Sequence, residues 1–245
     1  MKKIILLISF LYISIISYSL NFSIAPTRFS VDMQKISTNE IYILNNTSSP
    51  MRLEAYLEND KIFGENFGLK EQLIIFPKKI SIKPGATQTV RFRIKPNSSL
   101  PDGELKTYII FKELPPEIKT QGKTETTQEV STTVAILTEV GIPVYGYKGE
   151  QQVEGNLKNI SIKRNKNIIF VKGISESLGN TSLKFSYEIN SSKLKNNLIG
   201  EWGVSARNGK KEISTGISLP ENLKNEKVKL IIKDQNKKIY YKTEI

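Results

Sequence analysis

Along the chain, short runs in which apolar and polar residues alternate are separated by Asn, Gly or Pro. Up to Tyr147 they read NFSIAPTRFSVD, EIYILNN, MRLEAYLEN, LIIFP, ISIKPG, TVRFRIKP, LKTYIIFKE and TTVAILTEVGIPVYGY. A period of two places successive side chains on opposite faces of a strand. Runs spaced by roughly eight to twelve residues, with Asn-Asn, Pro-Gly and Pro-Asn between them, predict an antiparallel β-sandwich. No segment shows helical periodicity. After KGEQQVEGN, which has the composition of a linker, a second set follows: LKNISIKRN, NIIFVKGISE, SLKFSYEIN, IGEWGVSAR, KVKLIIKD and KKIYYKTEI. Asn165-Lys166-Asn167 and Gln235-Asn236-Lys237 are predicted hairpin turns. The pattern therefore predicts an all-β chain of two sandwich domains, residues 20–147 and 148–245.

Two stretches depart from this rhythm. The first is MKKIILLISFLYISIISYS, where two lysines, an apolar run and a small-x-small ending at Ser17-Tyr18-Ser19 make a secretory signal peptide over residues 1–19, cut before Leu20. No second apolar stretch of spanning length follows, so no stable membrane insertion is expected once the signal is removed. The second is PEIKTQGKTETTQEVS, residues 116–131, a polar loop between two of the most apolar strands. Loops of this length are commonly functional or mobile.

Composition narrows the chemistry. The 245 residues contain neither cysteine nor histidine, which removes thiol nucleophiles, Ser-His-Asp triads and zinc sites built on His or Cys. A carboxylate dyad such as Asp32 with Glu104 has no supporting pattern, and Pro84-Gly85 lacks the further glycines and lysine of a phosphate loop. No enzyme activity and no cofactor are expected. The formal net charge of +12 permits nucleic-acid binding, but the lysines are scattered and the chain is read as exported, so no nucleic-acid partner is expected.

Two strands carry unusual faces. In LPDGELKTYIIFKELPP, Leu100 to Pro116, the run Tyr108 to Phe111 supplies apolar groups to both faces, and Lys106 shares a face with Tyr108 and Ile110. In the last strand of the first domain, Val134, Ile136, Val140, Ile142 and Val144 share one parity, interrupted by Thr138. That face either fills the protein's own sandwich or is presented to a partner, and alternation does not decide between the two.

Taken in order, IAPTRFSVD, IYILNNTSSPMRLEAYLE, IIFPKKISIKPGATQTVRFRI, LPDGELKTYIIFKELPP and the IPVYGY strand resemble the periplasmic chaperones of chaperone-usher pilus assembly. ESLGNTSLKF resembles their C-terminal domain more loosely. The resemblance implies two immunoglobulin-like β-sandwich domains in a boomerang arrangement. It also implies periplasmic localisation, pilus or fimbrial subunits and an outer-membrane usher as partners, and a possible self-capping oligomer. The chaperone lends its G1 strand, about 133–145 here, to a subunit lacking its last strand. Val134, Ile136, Thr138, Val140 and Ile142 are then the donor-strand residues.

The resemblance further implies two cations that hold the subunit's C-terminal carboxylate. Arg28 matches the first, whereas Pro143 stands where the second is found in the best-described branch. The Gly103-Glu104-Leu105-Lys106 context and the IPVY ending are similar to the archaic, or alternative, branch, which makes Lys106 the expected main anchor with Arg28 assisting. A secreted immunoglobulin-like adhesive module or pilus subunit is the alternative reading.

Overall fold

The structure, a computed structural model, describes residues 21–115 and 136–245. The signal segment, the 116–131 loop and Val134 lie outside the described residues. Among the described residues strands dominate, as the alternation requires, with three single-turn 3-10 helices at Glu65–Phe67, Lys70–Gln72 and Glu221–Leu223.

The first unit contains β1 (Phe22–Ala25), β2 (Phe29–Asp32), β3 (Thr38–Asn45), β4 (Met51–Asn59), β5 (Leu73–Phe76), β6 (Lys79–Ile82), β7 (Thr87–Ile94), β8 (Gly103–Glu113) and β9 (Glu139–Lys148). They form a four-stranded sheet ordered β1-β3-β7-β5 and a five-stranded sheet ordered β2-β9-β8-β4-β6. Between the sheets lies a core to which nearly every strand contributes alternate residues. In β7, Val90, Phe92 and Ile94 are buried while Arg91 and Arg93 face water. Phe29 of one sheet meets Phe92 of the other edge-on, ring centroids 4.8 Å apart. Such pairing of inner faces is how a sandwich excludes water from both sheets at once.

The run NFSIAPTRFSVD does not stay in one sheet. Its first half, β1, pairs antiparallel with β3, and its second half, β2, pairs parallel with β9. Pro26 has no N–H to give to a ladder, and the chain crosses between the sheets over Pro26 to Arg28. The Pro84-Gly85 turn is held from within the fold. Gly85 adopts φ +64°, a left-handed conformation that glycine enters without a Cβ clash. Its N–H reaches the carbonyl of Asn45. The fully buried Asn45 side chain donates to the carbonyls of Ser49 and Ile82 at 2.8 and 3.1 Å and accepts from Thr47 N–H at 2.9 Å.

The second unit contains β10 (Gly155–Asn165), β11 (Ile168–Ser177), β12 (Lys184–Asn190), β13 (Leu198–Val204), β14 (Lys210–Ser218), β15 (Lys229–Lys233) and β16 (Ile239–Glu244). Their sheets are ordered β10-β11-β14 and β13-β12-β15-β16. Trp202 lies in this core at 2% exposure, its ring against Phe185 and its indole N–H donating to the carbonyl of Val171. Both predicted hairpin turns place a lysine at positive φ, Lys166 and Lys237. At the second turn Asp234 accepts from the N–H groups of Asn236 and Lys238 and from the Tyr240 hydroxyl. Burial, followed by the Asp234 charge, pushes the Tyr240 phenol up to about 12.

The units meet around Glu104, whose side chain is fully buried. Its carboxylate accepts from the backbone N–H of Ser182 at 2.7 Å, from the Ser182 hydroxyl and from Tyr147 OH at 3.1 Å, with Lys184 Nζ 3.6 Å away. Arg207 reaches back from the second unit, donating to the carbonyls of Glu104 and Asp102 while its guanidinium lies 3.8 Å from the Phe67 ring centroid. Gly103 adopts φ +105°, and a Cβ there would stand 2.1 Å from the carbonyl oxygen of Asn180. The Gly-Glu pair thus combines a close backbone approach with a buried charge satisfied from both units.

Candidate functional site

Strand β9 is covered along one edge by β8 over its whole paired length, from Glu139 to Lys148. Its other edge is covered only in part. Strand β2 pairs with Val144 to Tyr147, Phe29 lying opposite Val144. Upstream, from Glu139 to Pro143, no strand among the described residues pairs with that edge. Exposed backbone N–H and C=O groups on such an edge are a template for another strand.

The even-numbered side chains of this segment change surroundings along its length. Val144 and Ile142 are buried in the protein's own core at 0% and 3% exposure, and Val140 packs against it from the rim. Thr138 is half-buried, its backbone tied to Glu113 in both directions: its N–H donates to the Glu113 carboxylate at 3.1 Å and its carbonyl accepts from Glu113 N–H at 2.9 Å. Ile136 is 86% exposed. In the protein alone Ile142 lies opposite Ile109 within the sandwich, and Val140 lies opposite Phe111 at its rim. An apolar strip that starts inside the core emerges into water at Ile136.

The outer face of the same sheet shows what the second face of β8 meets. Leu105, Thr107, Ile109 and Phe111 point inward and are buried, whereas Lys106, Tyr108 and Ile110 line the outside. Ile110 and Tyr108 close over Gly141 of β9, where a Cβ would come within 3.0 Å of Ile110 Cδ1. Lys106 is engaged. Its Nζ lies 2.7 Å from Asp60 Oδ2 and 2.8 Å from Tyr108 OH, with side-chain exposures of 11% and 15% for the pair. Burial works to raise the Asp60 carboxyl, but the hydrogen bond and charge of Lys106, with the N–H groups of Phe63 and Ile62, hold it below the usual carboxylate range. For Lys106 burial works downward, and Asp60 and Tyr108 outweigh it, so the ammonium is held above its ordinary value. An ammonium neutralised in this way presents little open face to a ligand.

Arg28 stands apart from Lys106. It is exposed and lines a cleft of about 310 Å³ between the units, together with Tyr145, Tyr147, Lys184, Glu201 and Gln235. Tyr145 stands between the two places: its ring centroid is 5.3 Å from Lys106 Nζ and 5.5 Å from Lys184 Nζ. Burial again works to lower the Lys184 ammonium, and the Tyr147 hydroxyl and the Glu104 charge raise it above the ordinary lysine value. Glu104, Lys184, Arg207 and Asp60 were not singled out from the sequence as site residues. Glu104 and Lys184 lie within two segments that carry the resemblance, Gly103-Glu104-Leu105-Lys106 and ESLGNTSLKF.

The N-terminal unit carries a direct match: the model of the pili and flagellar-assembly chaperone family, PapD N-terminal domain, matches residues 21–144. The chain belongs to this family. Its members are assembly chaperones and not enzymes. No curated protein matches the chain in sequence. Among solved structures, the YadV chaperone is similar at 13% identity and TM-score 0.50, over 92% of this chain and 100% of that one. The CupB2 chaperone of Pseudomonas aeruginosa is similar at 12% identity and TM-score 0.49, over 91% and 97%. The CsuC–CsuE chaperone–tip adhesion subunit complex from the archaic chaperone-usher Csu pili of Acinetobacter baumannii gives 15% identity and TM-score 0.46, over 92% and 98%. At these identities the likeness to YadV shows the fold alone, the two-domain β-sandwich of pilus-assembly chaperones.

Proposed function

We propose that this pilus-assembly chaperone works in the periplasm, takes up pilus subunits by lending them the open edge of β9, and passes them to an outer-membrane usher. The observation that carries the reading is the edge itself: among the described residues no strand pairs with the edge of β9 away from β8 from Glu139 to Pro143, and the apolar strip leading into it surfaces at Ile136. A subunit lacking its last strand would gain backbone hydrogen bonds along this edge and fill its groove with the emerging side chains. Burying Ile136 contributes about 1.5–3 kcal/mol gross, and each backbone hydrogen bond a net of about 0.5–1.5 kcal/mol. Association and ordering offset much of that sum, so extension of the strand upstream, through Val134, adds to the binding.

The cationic end of the site is assigned to Arg28, which stands immediately before the residue where β2 closes the edge. Lys106, held by Asp60, acts through the Tyr145 ring it approaches. The leader over residues 1–19 accounts for export. The usher and a self-capping oligomer through the same open edge belong to this reading as well. Co-expression with a fimbrial subunit from the same organism tests the reading. A soluble heterodimer is expected; a subunit that aggregates equally with and without the protein contradicts it.

A further inference from the structure

Proline has no N–H for a ladder and is confined in sheets to edges, strand starts and bulges. Strand β9 lies between β2 and β8 in its sheet, yet carries Pro143 in the middle of its span. Which way that residue faces decides what the missing N–H does. In an antiparallel pair each residue turns its N–H and C=O to one neighbour, and successive residues alternate between neighbours. The Thr138 carbonyl accepts from Glu113 N–H at 2.9 Å on the β8 side, and the Tyr147 carbonyl accepts from Met33 N–H at 2.9 Å, just past the end of β2. The register from Glu139 to Lys148 contains no bulge. Even-numbered residues therefore bond to β8, and Glu139, Gly141, Pro143, Tyr145 and Tyr147 face the other edge. Pro143 takes nothing from the β8 ladder. Its absent N–H falls on the edge that is paired downstream and, among the described residues, unpaired by any strand upstream.

The boundary between the two parts of that edge coincides with the proline. The parallel ladder of β2 and β9 begins at Phe29 opposite Val144. Carried upstream, the same register would set Thr27 opposite Ile142, its carbonyl turned to the nitrogen of residue 143 and its N–H to the Gly141 carbonyl. The first of those bonds has no donor, and the pyrrolidine ring fills the space in which a hydrogen would meet the carbonyl. Thr27 itself is a residue type that strands favour, and Pro26 lies one residue beyond it. Thr27 and Gly141 are both exposed.

We infer that Pro143 is a positioning residue that divides the edge of β9 away from β8: it stops this chain's own β2 and so leaves the backbone of Glu139 and Gly141 to a visiting subunit strand. This rests on the proposed chaperone function. Such a stop keeps the edge from closing on the protein itself, and it ends a visiting ladder at the Gly141 carbonyl, since the next residue of β9 facing the visitor has no N–H to offer.

The test replaces the proline in the full chain. Pro143→Ala creates an amide at position 143, and in the free protein it should exchange at least about tenfold more slowly than the Gly141 amide, its neighbour on the same edge, because the Thr27 carbonyl now accepts from it. Binding of a fimbrial subunit from the same organism should weaken about tenfold, since the Thr27 N–H competes for the Gly141 carbonyl; thermal unfolding should be no lower than in the wild type. Adding Thr27→Pro, which removes that N–H, should restore binding. An amide at position 143 that exchanges as fast as that of Gly141 overturns the inference. So does unchanged subunit binding by Pro143→Ala, which would leave the proline as protection against stray edge pairing, and so does failure of Thr27→Pro to restore binding in a chain that unfolds at the wild-type temperature. Wild-type protein that binds no subunit overturns the chaperone reading and the visiting strand with it, while exchange at position 143 in the free variant still decides whether Pro143 stops β2.

Discussion

The two halves of β9 have the same alternating pattern and opposite circumstances. From Val144 to Tyr147 the strand is paired on both edges, and Val144 is fully buried. From Pro143 back to Glu139 no strand among the described residues pairs with one edge, and the apolar strip comes out of the core from Ile142 towards Ile136, which lies just before the strand and is 86% exposed. The doubly paired half gives the strand a fixed position and register, because a shift of one residue would expose Val144. An open half fixed in register by its neighbour can present a reproducible edge to a partner. The difference teaches that lending a strand does not require removing it from its own sandwich.

The sharpest way to break this comparison is to place a charge in each half. Val144→Asp should destabilise the first unit by more than about 4 kcal/mol, because the carboxylate has no partner in the core. Equilibrium denaturation would measure it. A small effect would mean that the closed half is not needed to hold the strand.

The second test separates the two cations flanking Tyr145. Removing the ammonium in Lys106→Met leaves Asp60 unpaired and should cost about 2–3 kcal/mol, below the full cost of breaking a buried pair because Asp60 keeps some contact with water. Arg28→Met should shift stability by less than about 0.5 kcal/mol. Equal losses from the two variants would contradict the division between an enclosed structural cation and an open binding one.

The pH dependence follows from the same pair. The Asp60 carboxyl is depressed in the fold, so its contribution is present above the unfolded aspartate value of about 3.9 and disappears as pH falls through the lower folded value. Asp60→Asn should flatten that acid limb of the stability profile. An unchanged limb would show that the pair is not coupled to folding. The smallest stability effect is expected of Ile136→Asp, within about 0.5 kcal/mol, alongside a marked loss of subunit recovery on co-expression. Unfolding of the first unit by this variant would place Ile136 in the protein's own core.

Much of the architecture was legible because the informative signals are local. Alternation in TVRFRI and the turns at Pro84-Gly85 and Asn165-Lys166-Asn167 specify strands and reversals within a few residues. The sheet switch at Pro26 was not legible, because the change of parity from Phe22 and Ile24 to Phe29 and Val31 marks a break in the strand without saying which strand each half joins. Residues 60–72, which turn and form two short 3-10 helices, have no period to read. At the site, Arg28, Lys106 and the importance of β9 could be picked out by resemblance. That Lys106 is neutralised could not, since Asp60 lies 46 residues away. The parity of Ile136 and Ile142 is the same, and only the partner strands decide which of them meets water. Lys184 looks like an ordinary outward lysine in KFSYE until Tyr147 and Gln235, both distant in sequence, hold it against the cleft.

The most direct test is amide hydrogen exchange over residues 136–143, measured on the free protein and on its heterodimer with a subunit. Lending this edge predicts fast exchange at the outward-facing amides in the free protein and strong slowing on binding, with little change from Val144 to Tyr147, where β2 is already paired. A stable heterodimer whose exchange over 136–143 is no slower than that of the free protein would contradict the account.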